Sequence, residues 1–282
     1  MDNSTIKLPF VLDPFRERLE ATVKPYVQIQ TQICEEATLW QSKILGRPYF
    51  PKSANFPSTS KGKPLYLLAQ INFAEVPLLP DFPSKGILQF YLANTDLYGA
   101  DFNNPTHQDG FRVMYHADPE RDESKLVSDF SFMPSPWEEN DDWMPFTVFS
   151  KYLKKPNSCL ALTFQRKEMP MSPQDYLHES LVGCDVFALS NDEGESDREI
   201  ETYYHAFDGH RLGGYPAFTQ ADPRSYITQE EEPYSLLLQV DSEDNNKIDI
   251  MWGDTGTCNF FIKPSALARL DFSDVLYNWD CC

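Results

Sequence analysis

The sequence predicts a strand-rich α+β protein built from two copies of one motif set. Three observations carry this. Short runs rich in aromatic and branched residues recur along the chain, bounded by Pro, Gly, Asn or Asp. Helical periodicity is confined to a few short stretches. Three motifs then return in the same order, with Gln70 and Gln239 spaced by 169 residues and Gly86 and Gly256 by 170. Strands are not separated by regular helices, which argues against a doubly wound parallel sheet.

The elements follow in order. Asp13-Pro14 supplies an N-cap acceptor and a proline at the first helical position. Phe15, Leu19 and Val23 then share a face, and Pro25 ends the helix. Tyr26-Val27-Gln28-Ile29-Gln30 alternates as a strand. Further strands are expected over residues 65–71, 87–92, 111–115, 159–164, 235–240 and 259–262. A second helix is expected from Ser172-Pro173 to about Val182, and a short third from Pro264-Ser265. Prolines number 22 against 12 glycines, and many fall where loops belong, as in Val76-Pro77-Leu78-Leu79-Pro80-Asp81-Phe82-Pro83. Residues 186–202 read as an exposed acidic loop.

The first motif copy runs Leu45-Gly46-Arg47-Pro48-Tyr49-Phe50, Leu67-Leu68-Ala69-Gln70-Ile71 and Gly86-Ile87-Leu88-Gln89-Phe90-Tyr91-Leu92. The second runs Leu212-Gly213-Gly214-Tyr215-Pro216-Ala217-Phe218, Leu236-Leu237-Leu238-Gln239-Val240 and Gly256-Thr257-Cys258-Asn259-Phe260-Phe261-Ile262. The expectation is one domain over 1–282, with internal repeats at about 40–120 and 205–282 joined by 121–204. Each copy gives a turn, a buried strand carrying one Gln, a loop and an aromatic strand. Two such hairpins can pair their apolar faces and leave a groove between halves. Gln70 and Gln239 sit on otherwise apolar strands, so their amides need partners. They either tie down neighbouring loop backbone or contact a ligand.

Charge narrows the function classes. The 24 Lys+Arg stand against 43 Asp+Glu, a net charge of −19, which disfavours nucleic acid as a partner. No apolar run approaches the roughly 18 residues of a membrane span. The opening MDNSTIKLPF has no basic region followed by an apolar one, so a cytoplasmic location is expected. Acidic residues gather at Glu138-Glu139-Asn140-Asp141-Asp142, Asp192–Asp197, Glu230-Glu231-Glu232 and Asp241-Ser242-Glu243-Asp244. These are either solvated loops or a docking face for a basic protein. The last cluster lacks the glycine and terminal Glu of a calcium loop. The six cysteines form no C-x-x-C pair, which argues against zinc or a redox dithiol; Cys159 and Cys258 read as small core residues. Cys281-Cys282 reads as the end of a terminal strand, with lipidation as the other reading.

No phosphate-loop, dinucleotide, nucleophile-elbow, zincin or kinase motif is present. His205 and His210 lie five apart with Asp208 between them, but a metal site would need further carboxylates, and His210 reads as a hydrogen-bonded structural residue. Trp252-Gly253-Asp254-Thr255-Gly256 is a turn signature, with Asp254 as a general acid or base only if a partner exists. Arg224, after Asp222-Pro223, suits an ion pair or an anion site. The candidates for a groove or ligand site are therefore Gln70, His210, Asp222, Arg224, Gln239 and Asp254, with no metal and no cofactor expected.

Read whole, these elements resemble the YwqG-like family of bacterial proteins of unknown function. The carriers include Trp40-Gln41-Ser42-Lys43, Leu68-Ala69-Gln70-Ile71-Asn72-Phe73-Ala74-Glu75-Val76-Pro77 and Tyr98-Gly99-Ala100-Asp101-Phe102. They continue with Leu212-Gly213-Gly214-Tyr215-Pro216, Thr219-Gln220 with Asp222-Pro223-Arg224, Met251-Trp252-Gly253-Asp254 and Tyr277 with Trp279-Asp280-Cys281. One departure is Ile44-Leu45-Gly46-Arg47, where the family tends to show paired glycines. The resemblance implies a large, mostly antiparallel sheet, here built from two pseudo-repeats with a few short flanking helices. It implies no reaction and assigns no catalytic residue. Two main readings stay open: a non-catalytic interaction protein, monomeric and toxin-inhibitor-like, docking a basic partner; and a small-molecule binder or enzyme using the groove between repeats. A scaffold module is a third.

Overall fold

The computed structural model describes residues 8–133, 158–189, 195–227, 232–244 and 249–282. The chain enters through a 3-10 turn, Phe10–Phe15, that runs into helix α1 (Arg16–Ala21). Pro14 lies inside that turn, and the Asp13 carboxylate pairs with Arg16 at 2.5 Å instead of capping a helix. The strands are β1 (Lys24–Cys34), β2 (Lys43–Ile44), β3 (Tyr66–Asn72), β4 (Ile87–Leu92), β5 (Phe111–His116) and β6 (Cys159–Met169). Helices α2 (His178–Val182) and α3 (Glu195–His205) lead to β7 (Arg211–Gly213), β8 (Ser235–Asp241), β9 (Glu243–Asp244) and β10 (Asp249–Ile250). Strand β11 (Thr257–Ile262), helix α4 (Pro264–Ala268) and β12 (Val275–Asp280) complete the chain.

Ten strands form one antiparallel sheet in the order β12-β11-β8-β7-β1-β6-β2-β3-β4-β5, and β9-β10 make a separate hairpin. The centre is the β1–β6 pair, in register from Lys24 opposite Met169 to Cys34 opposite Cys159. The α+β expectation is thereby overturned. This is a mostly-β fold with one continuous, nearly closed sheet and a few short helices, not two repeats packed as α+β halves. The second expected helix shrinks to α2, because Pro173 and the Ser172–Asp175 turn delay it. The acidic 186–202 loop is also corrected, since α3 covers its second part and buries Ile200 and Tyr203. The charges there masked an i, i+3, i+7 pattern of Ile200, Tyr203 and Phe207.

The sheet curls until its two flanks face each other. Phe90 on β4 lies 4.8 Å from Phe260 on β11, and Phe111 on β5 lies 5.1 Å from Tyr277 on β12. Phe260 and Tyr277 stack at 4.7 Å. Hydrogen bonds close the seam: Tyr277 N–H donates to Pro105 O at 2.9 Å, and the Gln108 side-chain Nε2 donates to Phe272 O at 2.7 Å. The space expected to hold a groove between halves is therefore packed aromatic core. A second cluster, including Leu12, Leu19, Met169, Tyr203, Phe207 and Tyr215, lies where α1 and α3 cover the sheet. Among the described residues, no helix is long and apolar enough to cross a membrane.

Phe260 is fully buried at the point where the flanks meet. Phe260→Ala is expected to cost about 3–5 kcal/mol in urea unfolding, as for large aromatic truncations in packed cores. A cost below about 1 kcal/mol would contradict closure of the sheet around this ring.

Candidate functional site

Strand register aligns two rows of polar side chains on the sheet face opposite Phe90 and Phe260. Lys43, Gln70 and Gln89 sit side by side across β2, β3 and β4. Arg211, Gln239 and Asn259 do so across β7, β8 and β11. All six are buried, so each must find partners. Gln70 Oε1 accepts from Tyr49 N at 2.8 Å and from Gln89 Nε2 at 2.8 Å. Its Nε2 donates to Leu39 O and Gln41 O at 2.7 and 2.9 Å. Gln239 does the same on its flank: Oε1 accepts from Ala217 N at 2.8 Å, and Nε2 donates to Phe207 O and Gly209 O at 3.1 and 2.7 Å. Gln89 Nε2 donates to Tyr49 O, and Asn259 Nδ2 to Ala217 O.

The cations play a matching part. Lys43 Nζ donates to Thr38 O at 2.7 Å and Leu39 O at 3.3 Å. Arg211 donates to Phe207 O and to Asp208 O, and lies over the Tyr26 ring. Burial pushes the Lys43 ammonium down to about 8 and the Arg211 guanidinium down to about 10. Both rows fasten irregular backbone to the sheet; the Gln70 amide has all four of its bonds made, and the Gln239 amide three of four. A left-handed turn follows each cation: Leu45 and Gly46 on one flank (φ 62° and 75°), Gly213 and Gly214 on the other (φ 67° and 71°). Leu45 holds without glycine a conformation that costs an L-residue roughly 1–2 kcal/mol.

Of the other expected site residues, His210, Asp222 and Arg224 are buried while Asp254 is exposed, and the six do not converge. His210 Nδ1 accepts from Asp241 N at 2.9 Å, which leaves Nε2 to donate to Glu243 Oε2 at 3.0 Å. Thr31 Oγ1 donates to the same oxygen at 2.8 Å. Asp222 and Arg224 do meet, at 2.6 Å, with Asp175 at 2.8 Å on the same guanidinium. Arg224 also donates to Tyr234 O and lies over Phe261. Burial opposes the Arg224 charge, but Asp175 and Asp222 outweigh it and hold the guanidinium above its ordinary range. The anion reading of Arg224 thus has its place filled by two carboxylates. Asp254 stands on the Trp252–Gly256 turn, where its carbonyl accepts from Cys282 N at 3.2 Å. That turn needs glycine at 256, since a Cβ there would sit 1.8 Å from Asp280 O.

A slit opens where the sequence offered no marker. Strand β2 is two residues long and covers β6 only at Leu160 and Ala161. One further bond, Leu162 N to Ser42 O at 3.2 Å, ends the coverage. Beyond it lies an open recess of about 370 Å³ lined by Thr38, Gln41, Glu75, Leu162, Thr163 and Phe164. Glu75 Oε2 accepts from Ser42 N at 2.9 Å, and Ser42 Oγ accepts from Asn72 N at 2.8 Å. On the other side of the central pair, β7 ends in the same way, and Ile29 N donates to His210 O at 2.9 Å. There the His210–Glu243–Thr31 bridge spans from loop to strand.

Among the described residues no group of three or more His, Cys, Asp or Glu side chains could hold a metal ion. Of the acidic clusters, Glu138–Asp142, Asp192-Glu193 and Glu230-Glu231 lie outside the described residues. Glu232 is used internally, accepting from Ser265 N and Oγ.

One buried carboxyl is strongly perturbed. Asp280 Oδ2 accepts from Gln220 N at 2.7 Å and Thr219 N at 3.0 Å, while Oδ1 is buried with no hydrogen-bond partner. Burial outweighs those bonds and pushes the carboxyl up to about 6. The folded protein therefore holds this proton more tightly than the unfolded chain, so the contribution is full below the unfolded value and is lost as pH rises through about 6. Asp280→Asn is expected to gain stability relative to the parent by about 1–3 kcal/mol between about pH 4 and pH 7 in urea titrations. A difference that stays flat with pH would place this carboxyl in the ordinary range.

No curated protein matches this chain. The model of one family does, a domain of unknown function (DUF1963), over residues 42–281. The match begins at Ser42, beside the first buried cation, and ends one residue after Asp280. It takes in both polar rows, the Arg224 network, and Glu75 and Leu162–Phe164 of the slit; Thr38, Gln41 and β1 lie outside it. The chain belongs to the DUF1963 family.

Proposed function

We propose that this protein is a non-catalytic binding protein that takes a basic, extended segment of a partner protein into the slit beside β6. The open length of β6 carries the reading. Leu162 N points toward β2, so by strand alternation Phe164 also turns its N–H and C=O toward the slit. An extended segment laid there would gain main-chain hydrogen bonds by strand addition. Thr38, Gln41 and Thr163 offer polar contacts, Leu162 and Phe164 apolar ones, and Glu75 a carboxylate for a Lys or Arg side chain.

Charge supports the same partner. A net charge of −19 steers a basic protein toward the molecule and repels acidic ones. The buried His, Arg and Lys groups described above spend their hydrogen bonds inside the fold, which favours binding over catalysis. A basic toxin held by an inhibitor is one partner of this kind. On this reading the protein works as a cytoplasmic monomer, without metal or cofactor.

The test is a positional library of seven-residue peptides screened against the purified full chain, followed by titration of the selected sequence. Lys or Arg is expected at one fixed position, with at least about tenfold weaker binding to Glu75→Lys, a loss of one charge-assisted contact. Methylating alternate backbone nitrogens of the peptide should abolish binding in one phase and not the other. Selection of acidic peptides, or equal binding by Glu75→Lys, would overturn the reading.

A further inference from the structure

We infer that Cys34 and Cys159 form a peroxide-sensitive dithiol pair that closes into a cross-strand disulfide. The two residues are the last register pair of β1 and β6, directly opposite each other. Directly opposed residues of antiparallel strands have Cα atoms about 4.5–5.5 Å apart and side chains on one face. A disulfide needs roughly 4.4–6.8 Å, so no backbone movement is required. A Cys pair 125 residues apart in the chain leaves no motif, which is why the sequence argued against a redox dithiol.

A second observation comes from Lys43. It faces Ala161 across β2 and β6, two residues along β6 from Cys159 and on the same face. Its charge interacts with the Cys159 thiol and favours the thiolate form of that residue. Exposure divides the roles. Cys34 is partly accessible and Cys159 is buried, so the entering oxidant meets Cys34 first. Burial holds the Cys159 thiol up to about 12, so it is not the sulfur that peroxide oxidises first.

The chemistry balances with hydrogen peroxide as the oxidant. The Cys34 thiolate attacks one peroxide oxygen; the S–O bond forms, the O–O bond breaks, and hydroxide leaves to collect the proton that Cys34 released. The Cys159 sulfur then displaces hydroxide from the sulfenic acid; the S–S bond forms, the S–O bond breaks, and the Cys159 proton leaves with it as water. Two thiols are oxidised and one peroxide is reduced to two waters.

The experiment treats the full chain with equimolar hydrogen peroxide, alkylates it with N-ethylmaleimide under denaturing conditions and maps its peptides by mass. The expected product joins the Cys34 and Cys159 peptides at a mass about 2 Da below their sum, and dithiothreitol reverses it. In Cys159→Ser, Cys34 should accumulate as a sulfenic acid that dimedone traps. Cys34→Ser should leave Cys159 fully alkylatable. Alkylation of both Cys34 and Cys159 after peroxide, or oxidation of Cys34 to a sulfinic acid in the unsubstituted protein, would overturn the inference. The parent mapping decides the matter even if a variant fails to fold.

Discussion

The fold depends on satisfying irregular backbone that lies against the face of a β-sheet. A loop packed on a sheet cannot use water for its N–H and C=O groups, and each one left unpaired costs about 1–3 kcal/mol. Here the sheet supplies the partners from its own side chains. Gln70 and Gln239 each give one oxygen to a loop N–H and two N–H bonds to loop carbonyls. Lys43 and Arg211, beside them, take further carbonyls of the same segments. Residues that look like ligand contacts in an apolar strand are thus part of the scaffold. Replacing one would leave both a buried amide partner and a loose segment.

That arrangement leaves the opposite face free to be largely apolar, and the sheet curls around it. Phe90, Phe111, Phe260 and Tyr277 fill the interior where a groove between halves was expected. Function then has to lie at places the packing leaves incomplete. The end of β2 is such a place, because a two-residue strand cannot cover an eleven-residue one. The equivalent gap beside β1 is bridged by His210, Glu243 and Thr31. Cys34 opens the connection that leads to Thr38 and Gln41, while Cys159 lies at the opposite end of the stretch that β2 covers on β6.

Much of this was legible in the sequence, for reasons that can be named. Strands such as Ile87–Leu92 and Ser235–Asp241 declare themselves by length and residue type. Gln70 and Gln239 stood out because an amide among leucines demands partners, and the structure shows tethering of loop backbone. The sequence suggests α+β because Pro14, Pro173 and Pro264 each mark a helix start, while the helices that follow are only five or six residues long. Helix α3 was hidden by its own charges. The closure of the sheet, the Cys34–Cys159 pair and the slit all depend on which distant strands become neighbours, and no local pattern states that. The Arg224–Asp175 pair is the same case, since Asp222 was visible two residues away and Asp175 was not.

The central claim is that the buried glutamines pin the covering segments to the sheet. Amide hydrogen exchange of Tyr49 and Ala217 in Gln70→Ala tests it most directly, since their N–H groups are accepted by Gln70 and Gln239 respectively. Tyr49 is expected to exchange at least about tenfold faster than in the parent protein while Ala217 changes far less, a local opening rather than a global one. Equal acceleration at both amides, or none at Tyr49, would contradict it.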